Sequence, residues 1–443
     1  MTQEPSESDA PATAAQVRRS WSVMPPAERV ENFKAIDAGH SDDFFLALSA
    51  HDQATLLLAM AANERRLWMR VLAPDDAADV IQDLPEEQRN EFLQMLDEPT
   101  RREVTALMAY AQDAAGGLMS PRFARLRPEM TVGEAIRYLQ RQAQEKLETI
   151  YYAYVLDQSQ VLLGVVSFRD LFAANPDRPL ATVMHTEIVS APETMNQREV
   201  AEIIAQRDLQ ALPVIDAGGR MKGIVTVDDI VDVVQRTATE DMQKVGGMEA
   251  LDTPYMQTSL FAMIKKRGGW LSALFLGEML TASAMGYYED EIAHAVILAL
   301  FVPLIISSGG NSGSQATTLI IRAMALGEVA VRDWWRIIHR EVTAGFLLGC
   351  LLATIGLIRI LAWQAIFHTY GEHYVRVAIV VALSLLGVVT WGTVAGSMLP
   401  FLIRRFGFDP ASASAPFVAT LVDVSGLMIY FNVAQLVLHG TLL

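Results

Sequence analysis

Cysteine is nearly absent from this chain of 443 residues. Cys350 stands alone in an apolar run, which excludes a disulfide framework. No Gly-x4-Gly-Lys-Ser/Thr loop occurs, so ATP hydrolysis has no visible machinery. The eight histidines are scattered, and no metal-ligand cluster or nucleophile–base pattern marks an enzyme. Residues 1–20 lack the basic start and apolar core of a secretory signal. The tail, residues 1–24, is expected to be disordered.

Charge is thin in the second part. Residues 268–443 carry ten acids against eight arginines, which leaves 41 acids against 27 Lys and Arg in residues 1–267, a net of −14. So acidic a region does not suit nucleic acid and does suit cations. The thinly charged part contains long apolar runs at about 268–288, 293–325, 343–366, 375–403 and 412–438, each long enough to cross a bilayer. Lys265, Lys266 and Arg267 precede the first run. Arg332, Arg336 and Arg340 follow the second, and Arg404 and Arg405 follow the fourth. Basic loops alternate with non-basic ones, which predicts five spans with the N-terminus cytoplasmic and the C-terminus outside.

Within the last run lies one carboxylate, Asp423. A charge at membrane depth costs at least ~2.5 kcal/mol, so Asp423 is expected to face protein or a watery path. A hydrogen bond to a neighbouring helix would also satisfy it; conduction of a cation is the reading preferred here. Glu278 in the first run is a second such acid, divided evenly between bundle packing and a pathway role. In the second run, Pro303 is followed by Ser307-Ser-Gly-Gly-Asn311-Ser-Gly-Ser-Gln315. Small residues there allow close helix packing, whereas Asn311 and Gln315 are expected to line a hydrated path beside Asp423.

The soluble part reads as two kinds of repeat. From Leu48 an apolar residue recurs every twelve positions through Met60, Leu72, Leu84, Leu96 and Met108, with Pro74, Pro85 and Pro99 supplying helix starts. This predicts a small superhelix of short helices. Asp75 and Asp79 share a helical face. The plainer role, preferred on sequence alone, is that Asp75 and Asp76 stabilise a helix N-terminus; the other is that Asp75 and Asp79 hold a cation between them. Farther on, Gly164-Val-Val-Ser-Phe-Arg-Asp170 matches Gly223-Ile-Val-Thr-Val-Asp-Asp229 at an offset of 59, and Val155-Leu-Asp157 matches Val214-Ile-Asp216. Each unit reads helix, strand, turn, strand, helix and resembles a pair of CBS domains. That resemblance implies an adenine-nucleotide contact at Thr226 and Asp229, with ATP bound and not hydrolysed; a helix cap explains the same Asp. After the pair, Thr253-Pro254 is expected to open an amphipathic connecting helix that ends at Lys265-Lys266-Arg267.

Taken together, Pro-x5-Gly-Gly-Asn-x-Gly-x-Gln (Pro303–Gln315), the Ala419-Thr-Leu-x-Asp423-x-Ser-Gly426 run, the CBS pair and the N-terminal helical repeat resemble the MgtE magnesium-transporter family. The resemblance implies a multidomain protein: an N-terminal α-helical superhelix (25–128), an α+β tandem CBS pair (129–240), a connecting plug helix (241–267) and an α-helical membrane domain of five transmembrane helices (268–443). It further implies a homodimer in a bacterial-type plasma membrane, importing Mg²⁺ down its gradient, with Co²⁺ as a further cargo. The pore ion would be held at Asp423 with backbone oxygens near Ala419 and Gly426, and Asp409 would stand at the cytoplasmic mouth. Regulatory Mg²⁺ would be held by Asp75, Asp79, Asp216, Asp228, Glu249 and Asp252. A CBS-regulated anion channel or membrane enzyme is the rival reading.

Overall fold

The twelve-residue period becomes one short helix plus its connection. The structure, a computed structural model, describes residues 14–142, 147 and 151–439. Its chain divides into two compact units, Met1–Thr237 and Ala238–Leu443. The first opens with α1 (Ala14–Ser20), α2 (Pro26–Lys34), α3 (Ala38–Leu46), α4 (Ala50–Ala59), α5 (Ala62–Met69), α6 (Pro74–Asp83), α7 (Glu86–Met95) and α8 (Glu98–Leu107). Met60, Leu72, Leu84 and Leu96 each lie just past a helix and are buried in the connection. Pro74 and Pro99 occupy first turns, where a missing N–H breaks no helical bond.

The last carbonyls of a helix have no partner within it. At four junctions the next helix supplies one. Arg29 Nε donates to the Met24 carbonyl (3.1 Å), and Gln53 Nε2 to that of Phe45 (2.9 Å). Arg65 reaches back to Met60 (3.0 Å) and Leu58 (2.9 Å), and Arg89 to Leu84 (3.0 Å) and Gln82 (2.7 Å). The expectation of a disordered tail through residue 24 fails from Ala14 onward. α1 is helical because Val17 and Trp21 are buried, the Trp21 ring lying edge-on to Phe44 at 5.2 Å. Residues 1–13 lie outside the described residues.

Two matching α+β halves follow. The first comprises α9 (Ala115–Leu118), β1 (Ala124–Leu126), α10 (Val132–Gln142), β2 (Tyr152–Leu156), β3 (Leu162–Ser167) and α11 (Phe168–Ala173). β4 (Ala191–Pro192), α12 (Gln197–Arg207), β5 (Ala211–Ile215), β6 (Met221–Thr226) and α13 (Val227–Val245) form the second. Each half has a three-stranded sheet with one parallel and one antiparallel pairing. Even the irregularities repeat: the register shifts at Val155/Leu156 and again at Val214/Ile215. β1 precedes residue 129, the expected start of the pair; a three-residue strand shows too little alternation to be read from sequence. The N-terminal helices share one buried cluster with the second half, from Leu107 and Met119 to Ala191, Leu212 and Ile230. Main-chain bonds reinforce the join, Ala115 N–H to Met195 (2.7 Å) and Gln197 N–H to Asp113 (2.7 Å).

The second unit holds the end of α13, then α14 (Leu260–Tyr287), α15 (Glu289–His294), α16 (Val296–Ala299), α17 (Val302–Ala325), α18 (Trp334–Phe367), α19 (Tyr374–Arg405) and α20 (Ala415–Leu438). Among the described residues, four helical stretches are long and apolar enough to cross a membrane: Val296–Ala325, Val331–Phe367, Tyr374–Arg405 and Ala415–Leu438. α14 is not one of them. Lys265, Lys266, Arg267 and Glu278 lie within it, and Gly268, Gly269 and Gly277 dilute its apolar part. The connecting helix expected from Thr253 is not formed. Thr253 instead faces Thr258, their hydroxyls 2.9 Å apart, and Pro254 accepts a turn bond from Gln257. The N-cap is Ser259, whose hydroxyl accepts the Ala262 N–H, and α14 runs unbroken from there into the apolar stretch.

Glycines fix how the membrane helices meet. A Cβ on Gly392 would strike the Gly309 carbonyl, and one on Gly396 the Gly313 carbonyl, so α17 and α19 touch backbone to backbone. Thr317 Oγ1 donates at this seam to the Gly396 carbonyl (2.8 Å), and the Ser312 and Thr393 hydroxyls meet at 2.6 Å. Gly345 and Gly349 of α18 approach Thr390 and Leu386 of α19 in the same manner. We expect Gly396→Val to cost ~3 kcal/mol or more by overpacking a contact that cannot yield, whereas Gly268→Ala, inside α14 with nothing within 4 Å of its new methyl, should stabilise by roughly 0.5–1 kcal/mol. Thermal unfolding of the purified variants checks both.

Candidate ion site on the membrane helices

α20 starts cleanly because Ser414 caps it, its hydroxyl accepting the Phe417 N–H at 3.3 Å, with Pro416 in the first turn. Two turns on, Asp423 is half-buried. Its Oδ1 lies 3.6 Å from where a Cβ on Gly310 would stand, and the Ala419 Cβ lies 3.5 Å from the same point. The glycines of α17 therefore divide by role. Gly309 and Gly313 press on α19, while Gly310 keeps the approach to the carboxylate clear. Asn311 and Gln315 lie exposed on α17, in line with Ser307, whose hydroxyl accepts from Asn311 Nδ2 at 3.4 Å. Gly426 is buried against Val388 of α19. Glu278 of α14 is near enough for its charge to act on Asp423, and Gly277 beside it packs on Thr420.

Asp409 is engaged from two sides. Its Oδ1 accepts the Ala411 N–H (3.0 Å) at the 3-10 turn Pro410–Ser412, and its Oδ2 receives the Lys244 ammonium at 2.8 Å. Sequence reading missed Lys244, since nothing in the chain pattern links positions 165 residues apart. Gly247 (φ +74°) follows, packed against Trp270 and Pro416, and Trp270 Nε1 donates to Ser414 Oγ at 3.1 Å. Of the connector acids, Asp252 pairs with Lys266 at 2.7 Å, and Glu249 is exposed.

The other candidate acids lie in the first unit. Asp75 is buried on α6, and Asp79, one turn on, is half-buried. Burial pushes the Asp79 carboxyl up to about 6, opposed by the charge of Arg236 on α13. Asp216 is occupied by its turn, with Oδ1 accepting from Gly218 and Arg220 (both 2.9 Å) and Oδ2 facing Lys222 at 3.3 Å; the Arg220 bond leads in holding its pKa down. Among the described residues, no three His, Cys, Asp or Glu side chains converge as a metal cluster.

The equivalent Thr/Ser–Asp pairs of the two halves behave oppositely. Asp170 accepts from Ser167 Oγ at 2.6 Å and neighbours His185 at 3.3 Å, and the Ser167 bond leads in lowering its pKa. Asp229 accepts from Thr226 Oγ1 at 2.7 Å and from its N–H at 3.2 Å. Burial nevertheless pushes it up to about 7, with the charges of Asp228 and of Asp76 on α6 adding to the rise. One motif thus gives a carboxyl of lowered pKa in one half and one of raised pKa in the other.

An intramembrane carboxylate beside a polar helix face, joined to a CBS pair and a helical superhelix, is the arrangement of a cation transporter. Comparison with known families agrees. Residues 302–433 match the model described as a divalent cation transporter, residues 12–113 the MgtE intracellular N domain, and residues 115–177 and 180–236 the CBS domain. The magnesium transporter MgtE of Thermus thermophilus is 41% identical over 369 residues, covering 83% of this chain and 80% of that protein. Its namesake in Enterococcus faecalis is 35% identical over 75% of this chain and 71% of its own. A solved cytosolic domain of the Mg²⁺ channel MgtE, in complex with ATP, covers 50% of this chain and 90% of its own at 36% identity, with a TM-score of 0.47. The chain belongs to the MgtE family. It is a multi-pass membrane transporter and not an enzyme.

Folded Asp79 and Asp229 have pKa values above the ~3.9 of an unfolded chain. Protons therefore favour the folded first unit: the stabilisation is full below about pH 4 and is lost as pH rises through about 6 to 7. Asp229→Asn is expected to raise the melting temperature at about pH 8 and to flatten its decline between about pH 4 and 7. Calorimetry of the purified protein in divalent-free buffer checks this; an unchanged slope would count against the burial of Asp229.

Proposed function

We propose that this protein is a channel-like importer of Mg²⁺, built as a homodimer around a pore lined by α17 and α20 of both copies. One observation carries the proposal: Asp423 stands against Gly310 of α17, the helix whose exposed side bears Asn311 and Gln315 while glycine contacts commit its other side to α19. Mg²⁺ gives up its water reluctantly and takes oxygen ligands in an octahedron. Two Asp423 carboxylates, one from each copy, would hold the hydrated ion through its water shell, strongly enough to attract it and loosely enough to release it. The Ala419 carbonyl assists on the same side. Gly426, turned toward α19, contributes mainly by bringing α20 close. Co²⁺ is a second cargo, since outer-shell contact discriminates weakly between divalents. An anion path would need Lys, Arg or helix N-termini, and this face offers Asp, Asn, Gln and Ser.

In this reading α14 is the first of five spans, entered from a cytoplasmic N-terminal part and leaving the C-terminus outside, in a bacterial-type plasma membrane. ATP binds without hydrolysis at Thr226 and Asp229. Asp423→Ala should abolish Mg²⁺ flux into liposomes while leaving the oligomeric state unchanged; flux at the wild-type rate would overturn the pore assignment.

Transport is self-limiting. Cytosolic Mg²⁺ bridges acids among Asp75, Asp79, Asp216, Asp228, Glu249 and Asp252 and so favours the conformation it binds best. The moving element is the end of α13, which meets the pore mouth through Lys244 and Asp409. A coupling of ~1–3 kcal/mol gives roughly 5–150-fold control. Neutralising Asp228, Glu249 and Asp252 together (to Asn, Gln and Asn) should leave flux running at high internal Mg²⁺. A triple variant that still shuts down as the wild type does would show these acids to be solvated surface.

A further inference from the structure

The mouth side of the second unit carries a basic and aromatic surface that ion conduction does not use. The 3-10 turn Val331–Asp333 packs on the end of α19, and Ile337 of α18 is buried with Phe401 of α19. Two charged segments are thereby brought side by side. On one, Arg332, Arg336 and Arg340 follow at four-residue spacing, all exposed, with Trp334 and Trp335 exposed between them (47% and 59%). On the other, Arg404 and Arg405 end α19 and are followed by exposed Phe406 and Phe408 (75% and 70%). None of the five arginines meets a carboxylate at ion-pair distance among the described residues. Asp333 turns inward to accept the Ala330 N–H (2.9 Å) and Glu341 is half-buried, so the exposed face is basic, with Glu328 the one exposed acid of the preceding loop. Just beyond, Val342, Phe346 and Leu347 of α18 are exposed and apolar. Guanidinium and indole groups therefore share one band from Arg332 to Arg340, and the alkyl groups lie beyond it, as a headgroup layer gives way to acyl chains on entering a bilayer from water.

We propose that this surface is a binding site for the headgroup of an acidic phospholipid, with its phosphate held between the Arg332–Arg340 row and Arg404–Arg405 and its acyl chains lying along Phe346 and Leu347. Guanidinium forks match phosphate oxygens in pairs, and the flat indoles sit at headgroup depth. The bound lipid fastens the α17–α18 connection to the end of α19. Only Phe406, Gly407 (φ +83°) and Phe408 separate that end from Asp409, so lipid occupancy holds the start of α20 in place. A zwitterionic lipid offers the same phosphate beside a cationic amine, which this surface repels.

Fluorescence quenching of the reconstituted full-length protein tests the site without reference to transport. Phosphatidylglycerol or phosphatidylcholine with brominated acyl chains is doped into vesicles at equal mole fractions. The difference between wild type and Trp334→Phe/Trp335→Phe isolates the signal of the indole pair. Brominated phosphatidylglycerol should reach half-maximal quenching at a roughly fivefold lower mole fraction than brominated phosphatidylcholine. Arg332→Gln/Arg336→Gln/Arg340→Gln should remove that preference, with an unchanged melting temperature showing that the variant is folded. Equal quenching by the two lipids would overturn the proposal. So would absence of quenching by either, which would mean that protein, such as a second copy, covers the face.

Discussion

The backbone contact between α17 and α19 decides what the membrane part can do. Because Gly309 and Gly313 meet Gly392 and Gly396 with no side chains between them, one face of α17 is committed to packing, and the opposite face is left to Ser307, Asn311 and Gln315. A helix rises 1.5 Å per residue with 3.6 residues per turn, so glycines four apart fix the rotation of α17 to within a fraction of a turn. Gly310 then falls toward Asp423. The carboxylate needs that space, because a buried charge without water or a partner is not tolerated in a bilayer.

The same logic separates the halves of the CBS pair. Asp170 and Asp229 occupy equivalent places after equivalent strands, and sequence alone treats them alike. Their surroundings differ: α6 brings the charge of Asp76 to act on Asp229, whereas Asp170 keeps an open setting with His185. A duplicated motif has thus come to hold two carboxyls of different acidity, through desolvation and through Asp228 standing where the first half has Arg169.

Much of this was legible in the chain. The twelve-residue period gave the helical stack, because the periodic residue plugs each junction whatever the helices themselves contain. The offset of 59 gave the paired halves, down to the Asp157 and Asp216 turns. Asp423, Asn311 and Gln315 could be read because polar groups in apolar runs are conspicuous. What escaped depends on distance along the chain. Lys244 finds Asp409, Trp270 finds Ser414, and Arg236 influences Asp79, and no local pattern encodes those meetings. The start of α14 was misplaced for a different reason. Thr253-Pro254 and Ser259 are both good helix openings, and six residues of turn bonding at Pro254 and Thr258 settled the choice for the second.

The arginine caps of the N-terminal stack make stability a shared property of neighbours. Where Arg65 or Arg89 finishes the helix before its own, neither helix is complete alone, and loss of one uncovers the carbonyls of the other. Such an array frays from a free end inward, one junction at a time. Here the far end is not free: the segment after α8 is bonded into the second CBS half through Ala115 and Gln197, and Arg122 reaches back to Glu103 and Thr100 of α8. The stack is therefore anchored at its far end, and unravelling from that end must first break these bonds.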